Sequence, residues 1–153
     1  MAITRLNNNS ITSITALPSA VAVDNHPAFH AYRDSSNQNI SDNTETKMQL
    51  NTELFDTDSC YDNSTNYRFT PTVAGKYFIY LFAGYGRDTS NVFDSGKLRI
   101  KKNGTTIAEQ QMSMHNGHQN YITQSVQTSV DFNGSSDYVE AYIQIDIQSG
   151  TPR

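Results

Sequence analysis

Short runs of alternating hydrophobic and polar residues follow one another along residues 28–147, separated by clusters of Asn, Asp, Gly and Ser. A period of two residues is typical of β-strands buried on one face, and no helical period appears in this region. The uneven connections favour a two-sheet antiparallel jelly-roll sandwich over an up-and-down barrel. We therefore predict an all-β fold with strands at residues 28–32, 67–70, 76–85, 97–101, 105–114, 121–132 and 138–147, and with one or two strands within residues 46–56.

Two of these predicted strands are the most informative. Residues 76–85 read KYFIYLFAGY and are apolar on both faces, as expected for a strand covered by a second sheet on one side and by a neighbour on the other. In the next strand, alternation predicts that Leu98 and Ile100 face inward and that the basic residues around them face outward. Asn103-Gly104 then supplies the two positive-φ positions of a type I′ turn, which predicts an antiparallel hairpin.

The first 25 residues differ in kind from the rest, because they are mostly small, polar or β-branched, contain no aromatic residue and are interrupted by Pro18. We predict an N-terminal extended arm at residues 1–25, one domain at residues 26–148 and a short tail at residues 149–153. Such an arm buries little apolar surface by itself, so we expect it to anchor the domain to another chain. Its candidate anchoring residues are Ile3, Leu6, Ile11, Ile14, Leu17 and Val21.

Composition narrows the class of protein. The 153 residues suit one domain, only 17% of them are charged, and the net charge of -4 does not favour a nucleic-acid partner. The single Cys60 cannot form an internal disulfide bond. No apolar run has the length of a signal peptide or of a membrane span, so we expect cytosolic synthesis and no membrane insertion.

The candidates for chemistry are weak, and each has a plainer interpretation. His115 and His118 stand three residues apart, whereas zinc sites need three or four ligands. Asp56, Asp58 and Asp62 are weak calcium candidates that serve equally well as turn carboxylates bonded to backbone amides. We predict no metal and no cofactor.

Catalysis also lacks a motif. Cys60 lies in a polar turn without a sequence cue for a histidine partner, and the strand carboxylates form no local pair. We therefore expect a protein that is not an enzyme. The one basic run suits either an anionic partner or a solvated strand face, and it comprises Lys97, Arg99, Lys101 and Lys102.

Residues 55–85, FDTDSCYDNSTNYRFTPTVAGKYFIYLFAGY, contain an ordered set of short motifs. The motifs are Phe55-Asp56, Tyr61-Asp62, Phe69-Thr70-Pro71, Val73-Ala74-Gly75 and Tyr77-Phe78. In this order the stretch resembles the signature of the complement C1q globular-head family, whose members are similar in fold to tumour necrosis factor. Further matches at residues 29–32, 98–104 and 137–142 extend the resemblance over residues 28–146. The resemblance implies a jelly-roll fold, but one fold serves many functions.

The opening, MAITRLNNNSITSITALPSAV, resembles N-terminal segments of bacteriophage virion proteins, especially those of marine phages. The chain also lacks the collagen-like stalk and the signal peptide of the family's extracellular animal members. These two features lead us to expect a virion-surface protein that is made in the host cytoplasm. Its arm would dock on a capsid, tail or fibre protein.

The family resemblance implies a homotrimer, and the predicted strand faces agree with it. In the last strand Val139, Ala141 and Ile143 fill the core, which leaves tyrosines on the opposite face. A partner that covers such a ring removes roughly 150–250 Å² from water, and the alternative is a solvated tyrosine face on a monomer. The predicted trimer-interface residues are His30, Tyr32, Tyr80, Phe82, Tyr138 and Tyr142.

Two functions follow from this picture. The first is a structural one, as a capsid decoration or cement protein or as a component of a head or tail fibre. The alternative is a receptor-binding knob that recognises a polysaccharide or protein of the host surface through its outer loops. Its candidate ligand residues are Tyr61, Asn63, Tyr85, Arg87, His115, His118 and Tyr121.

Overall fold

The computed structural model describes residues 27–34, 36–86, 93–117 and 121–148, so the predicted arm and tail lie outside the described residues. Every regular element within those ranges is a β-strand, and every strand pair is antiparallel, which confirms the predicted all-β, antiparallel class. The described part includes no helix that could cross a membrane. Its strands are β1 (Phe29–Tyr32), β2 (Thr46–Lys47), β3 (Thr52–Asp56), β4 (Tyr61–Asp62), β5 (Arg68–Phe69), β6 (Gly75–Gly86), β7 (Phe93–Lys102), β8 (Thr105–Gly117), β9 (Tyr121–Phe132) and β10 (Val139–Ile147).

The strands form three hydrogen-bonded groups. The largest has six strands in the order β4-β5-β10-β7-β8, with β2 paired to β10 beside that path. Strand β6 pairs with β9 along its whole length, from Gly75 to Gly86, and β1 pairs with β3. Because the β7-β8 hairpin lies between β6 and β9 in the chain, the pairing of β6 with β9 is long-range.

One hydrophobic core joins these groups. Leu98 and Ile100 of β7 are 0% and 2% exposed, which confirms the inward face predicted from alternation. They pack in the same cluster as Leu81 of β6 and Val126 of β9. The core therefore lies between the six-stranded group and the β6-β9 pair.

The β7-β8 turn has the predicted geometry. Asn103 and Gly104 have φ values of 50° and 81°, and Lys102 pairs with Thr105 across the turn. The Asn103 side chain also donates to an Asp137 carboxylate oxygen over 2.8 Å. It thus joins this turn to the loop before β10, a contact that local turn chemistry does not indicate.

Residues 57–66, which lie between two of the predicted strands, contain strand β4. Tyr61 pairs with Phe69 of β5, and its ring stacks on Phe29 with centroids 5.0 Å apart. Pairing with β5 and the stack on Phe29 make this short segment a strand, although its polar composition does not indicate one.

Candidate functional site

A row of exposed aromatic side chains runs along one face of β6. Phe78, Tyr80 and Phe82 are 68%, 57% and 57% exposed, while Ile79 and Leu81 between them are buried in the core. Large apolar residues rarely line up on the surface of a monomer without a partner. This strand face is the strongest candidate for an interaction surface.

Strand β1 adds to the same region. His30 and Tyr32 are exposed, and their rings lie 6.4 Å apart. Phe55 on β3, 46% exposed, meets the His30 ring edge-on at 6.1 Å. We use the name aromatic surface for the set formed by His30, Tyr32, Phe55, Phe78, Tyr80 and Phe82. Phe55 was not predicted as a site residue. Burial does not alternate along its strand, so no two-residue pattern indicated that its side chain is exposed.

A groove of about 810 Å³ separates β1 from β6 within the aromatic surface. Consecutive residues of both strands line it, which means that strand edges form its walls. Its lining includes the apolar residues Met48, Leu50, Val139 and Ile143, together with polar residues such as Gln38 and Glu140. The groove therefore leads from the surface into the core.

The other two predicted interface tyrosines lie on the far side of the core. Tyr142 pairs with Arg99 of β7, on the face opposite Leu98, and is half-buried. The Lys101 ammonium lies 4.5 Å from its ring centroid. The Arg68 guanidinium lies 4.4 Å above the Tyr138 ring. Basic side chains of the same chain thus cover both rings, and the structure divides the predicted interface set into two separate surfaces.

Ion pairs within the chain occupy most of the basic run. The Arg99 guanidinium lies 3.0 Å from a Glu45 carboxylate oxygen and also contacts Glu109. Lys101 pairs with Glu45 as well, and Lys102 lies 2.8 Å from Asp137. Carboxylates of the same chain therefore neutralise most of the basic run, which argues against an anionic partner on this face.

Burial raises the pKa of the Tyr142 phenol, and the nearby Glu140 carboxylate acts in the same direction. Glu140 is 7% exposed and pairs with Lys47, so its charge is compensated. This cluster has the features of a structural ion-pair network rather than of a reaction centre.

The structure corrects two of the predicted ligand-loop residues. Tyr61 is 9% exposed, and its hydroxyl donates to the Leu50 carbonyl oxygen over 3.2 Å. Tyr85 is 2% exposed, its hydroxyl donates to the Gln124 side-chain oxygen, and burial raises its pKa to about 12. Tyr85 is a core residue because it continues the buried face of β6, and Tyr61 is one because its ring packs on Phe29.

The other ligand-loop candidates have mixed outcomes. Tyr121 is 62% exposed and its ring covers Gly84, while Asn63 is half-buried in the β4-β5 turn. Arg87, His118 and the side chain of His115 lie outside the described residues.

The three candidate calcium ligands serve separate contacts. The Asp62 carboxylate accepts backbone N–H groups of Thr65, Ser64 and Asn66 over 2.9–3.1 Å, which holds its pKa well below the usual range. Asp56 accepts the Tyr61 N–H over 2.7 Å. Across the described ranges, no group of three or more potential ligand residues could hold a metal ion.

Cys60 is buried at 6% exposure, and its sulfur contacts the Asp58 carbonyl oxygen at 3.5 Å.

No protein-family model matches the chain, and no curated protein matches it either. The aromatic surface with its groove is therefore the feature on which a functional conclusion rests.

Proposed function

We propose that this chain is a non-enzymatic structural protein of a bacteriophage virion, built as a C1q-like jelly-roll knob that assembles into a homotrimer. The N-terminal arm attaches the knob to a capsid, tail or fibre protein. The aromatic surface is the observation on which this proposal rests, because three large side chains on one strand remain exposed in a single chain. The sequence resemblance to the C1q family supplies the trimeric arrangement.

Burial of the aromatic surface by a partner chain is energetically favourable. Each buried aromatic ring removes roughly 150–250 Å² from water, and a stable interface buries about 800 Å² per partner. The rings of the aromatic surface supply most of that area. In contrast, Tyr138 and Tyr142 already have cover from Arg68 and Lys101, so we assign self-association to the aromatic surface alone.

The same findings weigh against the receptor-binding alternative. Two of its seven candidate residues, Tyr61 and Tyr85, are buried and cannot reach a ligand. The basic run is paired within the chain, which leaves less positive charge for an anionic polysaccharide. We therefore propose decoration or cementing as the role.

Light scattering on the full chain tests self-association. We expect a trimer, and Tyr80→Ser combined with Phe82→Ser should weaken association by roughly 30-fold or more, since central aromatic residues often contribute 2 kcal/mol or more. Ile107→Ser is the matched control, because Ile107 is 39% exposed but lies on β8, away from the aromatic surface. A chain that stays monomeric at micromolar concentration, or a double variant that still forms trimers, contradicts the proposal.

Virions prepared without this protein test the structural role. We expect them to lose heat and salt resistance while still adsorbing to host cells, and deletion of residues 1–25 should give trimers that no longer attach to particles. Normal resistance with lost adsorption would favour the receptor-binding knob instead.

A further inference from the structure

Two polar turns of the chain, residues 62–66 and 133–137, have the same arrangement of hydrogen bonds around their first side chain. In the first turn, the Asp62 carboxylate accepts the N–H groups of the residues two, three and four positions later, over 2.9–3.1 Å. In the second turn, the Asn133 side-chain carbonyl oxygen accepts the N–H groups at the same three positions, also over 2.9–3.1 Å. A serine hydroxyl two positions later adds a further donor in each turn, over 3.3 and 3.2 Å. A charged side chain thus occupies the first turn, and a neutral one occupies the second.

This arrangement of donors suits a negative charge. Backbone N–H groups that converge on one point form an anion-binding concavity, and hydrogen bonds to a charged group are roughly twice as strong as neutral ones. At Asp62 these bonds hold the carboxyl pKa well below its usual range, with the Thr65 N–H as the largest cause. At Asn133 the donors that converge on the neutral oxygen outnumber its lone pairs. The second turn therefore offers more donors than an amide oxygen needs.

The fold requires glycine directly after Asn133. Gly134 has a φ of 71°, and a Cβ atom there would lie 2.3 Å from the Ala74 backbone nitrogen. Glycine adopts such a φ without strain and leaves room for the neighbouring backbone. It is also the residue that least hinders its own backbone nitrogen. This nitrogen can therefore attack the side chain that precedes it.

We propose that Asn133 is a deamidation site, at which the side-chain amide becomes a carboxylate without an enzyme. The Gly134 nitrogen attacks Asn133 Cγ and its proton passes to water, and the Cγ–Nδ2 bond then breaks to release ammonia. Water opens the resulting cyclic imide and leaves aspartate, or isoaspartate where it attacks the other carbonyl. Negative charge develops on Asn133 Oδ1 during the first step, and preorganised N–H donors at that position stabilise an oxyanion.

The surroundings of Asn133 also accept the product. Its Nδ2 group donates to the Ser136 hydroxyl over 2.9 Å, and a hydroxyl can turn its own proton toward a carboxylate oxygen instead. Asp137 contacts the backbone N–H of Asn133 rather than its side chain, and the Lys102 ammonium lies 2.8 Å from that carboxylate. The turn can therefore hold a carboxylate with the contacts that it already has.

Asn103 provides a contrast within the same chain, because it also precedes a glycine. Its Nδ2 group donates over 2.8 Å to the Asp137 carboxylate, which can only accept. A carboxylate in place of the Asn103 amide would face the Asp137 carboxylate directly, and like charges that share a site repel. We therefore expect Asn103 to stay an amide under conditions in which Asn133 reacts. The third Asn-Gly pair begins at Asn116, whose side chain lies outside the described residues.

Peptide mass spectrometry of the full chain, incubated at mildly alkaline pH, measures the reaction at both sites. In native protein Asn133 should lose its amide roughly tenfold or more faster than Asn103, the effect of about one added hydrogen bond to a developing charge. In urea the turns are absent, so the two sites should react at similar rates. Equal native rates, or a faster reaction at Asn103, would overturn the proposal. A difference that persists in urea would overturn it too, because it would come from the neighbouring sequence and not from the turn.

Opposite exchanges in the two turns test their preference for a carboxylate. At neutral pH, Asn133→Asp should raise the equilibrium constant for folding roughly threefold or more, and Asp62→Asn should lower it by a similar factor. Asn103→Asp is the matched control and should lower the constant, because its new charge faces Asp137. Urea unfolding measures each variant, and a loss of stability in Asn133→Asp equal to that in Asn103→Asp would contradict the proposal. The inference goes beyond the proposed function and does not depend on it, because the reaction lies within one turn and the trimer experiment reads oligomeric state.

Discussion

At Gly96, the backbone of β7 lies against the Tyr85 side chain, which comes from β6 on the other side of the core. A Cβ atom there would lie 1.9 Å from the Tyr85 hydroxyl oxygen and 2.6 Å from its Cζ. Tyr85 is 2% exposed and extends from β6 across the core to β7. Since the ring is fully enclosed, a shift of a few tenths of an ångström cannot relieve such an overlap. Gly96→Ala should displace the whole ring.

The magnitude follows from two terms. Overpacking a core costs about 1–3 kcal/mol. Displacing the ring also breaks the hydrogen bond to the buried Gln124, which costs about 1–3 kcal/mol when a group is left unpaired. We expect Gly96→Ala to lower the free energy of unfolding by about 2–4 kcal/mol. In a Tyr85→Leu background the ring is gone, so the same substitution should cost less than about 1 kcal/mol, aided by the advantage of Ala over Gly in a strand.

Wild type, Gly96→Ala, Tyr85→Leu and the double variant form a double-mutant cycle, and urea unfolding measures the stability of each. Circular dichroism follows the unfolding because the chain contains no tryptophan to serve as a fluorescent probe. The coupling free energy should be about 2–3 kcal/mol. Gly75→Ala is the matched control, because its Cβ would lie an ordinary 3.7 Å from the Tyr77 ring. An equal cost of Gly96→Ala in both backgrounds would refute the reasoning.

Three further outcomes follow from the structure. Gly104→Ala should lower the free energy of unfolding by about 1–2 kcal/mol in the same urea assay, because its φ of 81° strains any residue with a Cβ. The hydrogen bond from the Thr65 N–H is the main cause of the lowered pKa of the Asp62 carboxyl group. The ionised carboxylate therefore stabilises the fold above the unfolded pKa of roughly 4, and this contribution is lost when the group is protonated. The stability gap between wild type and Asp62→Ala should therefore shrink as the pH falls below that value, and a constant gap contradicts this. Cys60, at 6% exposure, should react with a thiol reagent roughly a hundredfold more slowly in native protein than in urea.

The predicted strand positions and inward faces depended on local patterns, and most of them are present in the structure. Strand β9 spans the predicted residues 121–132, and Leu98 and Ile100 are buried as alternation required. Tyr85 could have been placed correctly by the same rule. It continues the buried series of Ile79 and Leu81 at even spacing, although it was predicted as an exposed ligand residue at the end of that strand.

Other features could not be predicted from local patterns. KYFIYLFAGY is apolar on both faces, so its pattern does not decide which face the core takes, although Tyr80 and Phe82 were predicted to lie at an interface. Alternation placed Tyr142 away from the core correctly, but Lys47 and Lys101 come from strands far along the chain to cover it. Which edges of β6 and β1 have no partner among the described strands likewise depends on pairing between distant parts of the chain.

The sequence by itself determined the all-β class, most of the strand positions and the Asn103-Gly104 turn, because alternation and backbone φ preferences act between residues that are close in the chain. The tertiary structure alone decided which aromatic rings stay exposed and where the groove opens. Those features depend on pairing between distant strands, since a side chain is covered or uncovered only by the elements that the fold brings beside it.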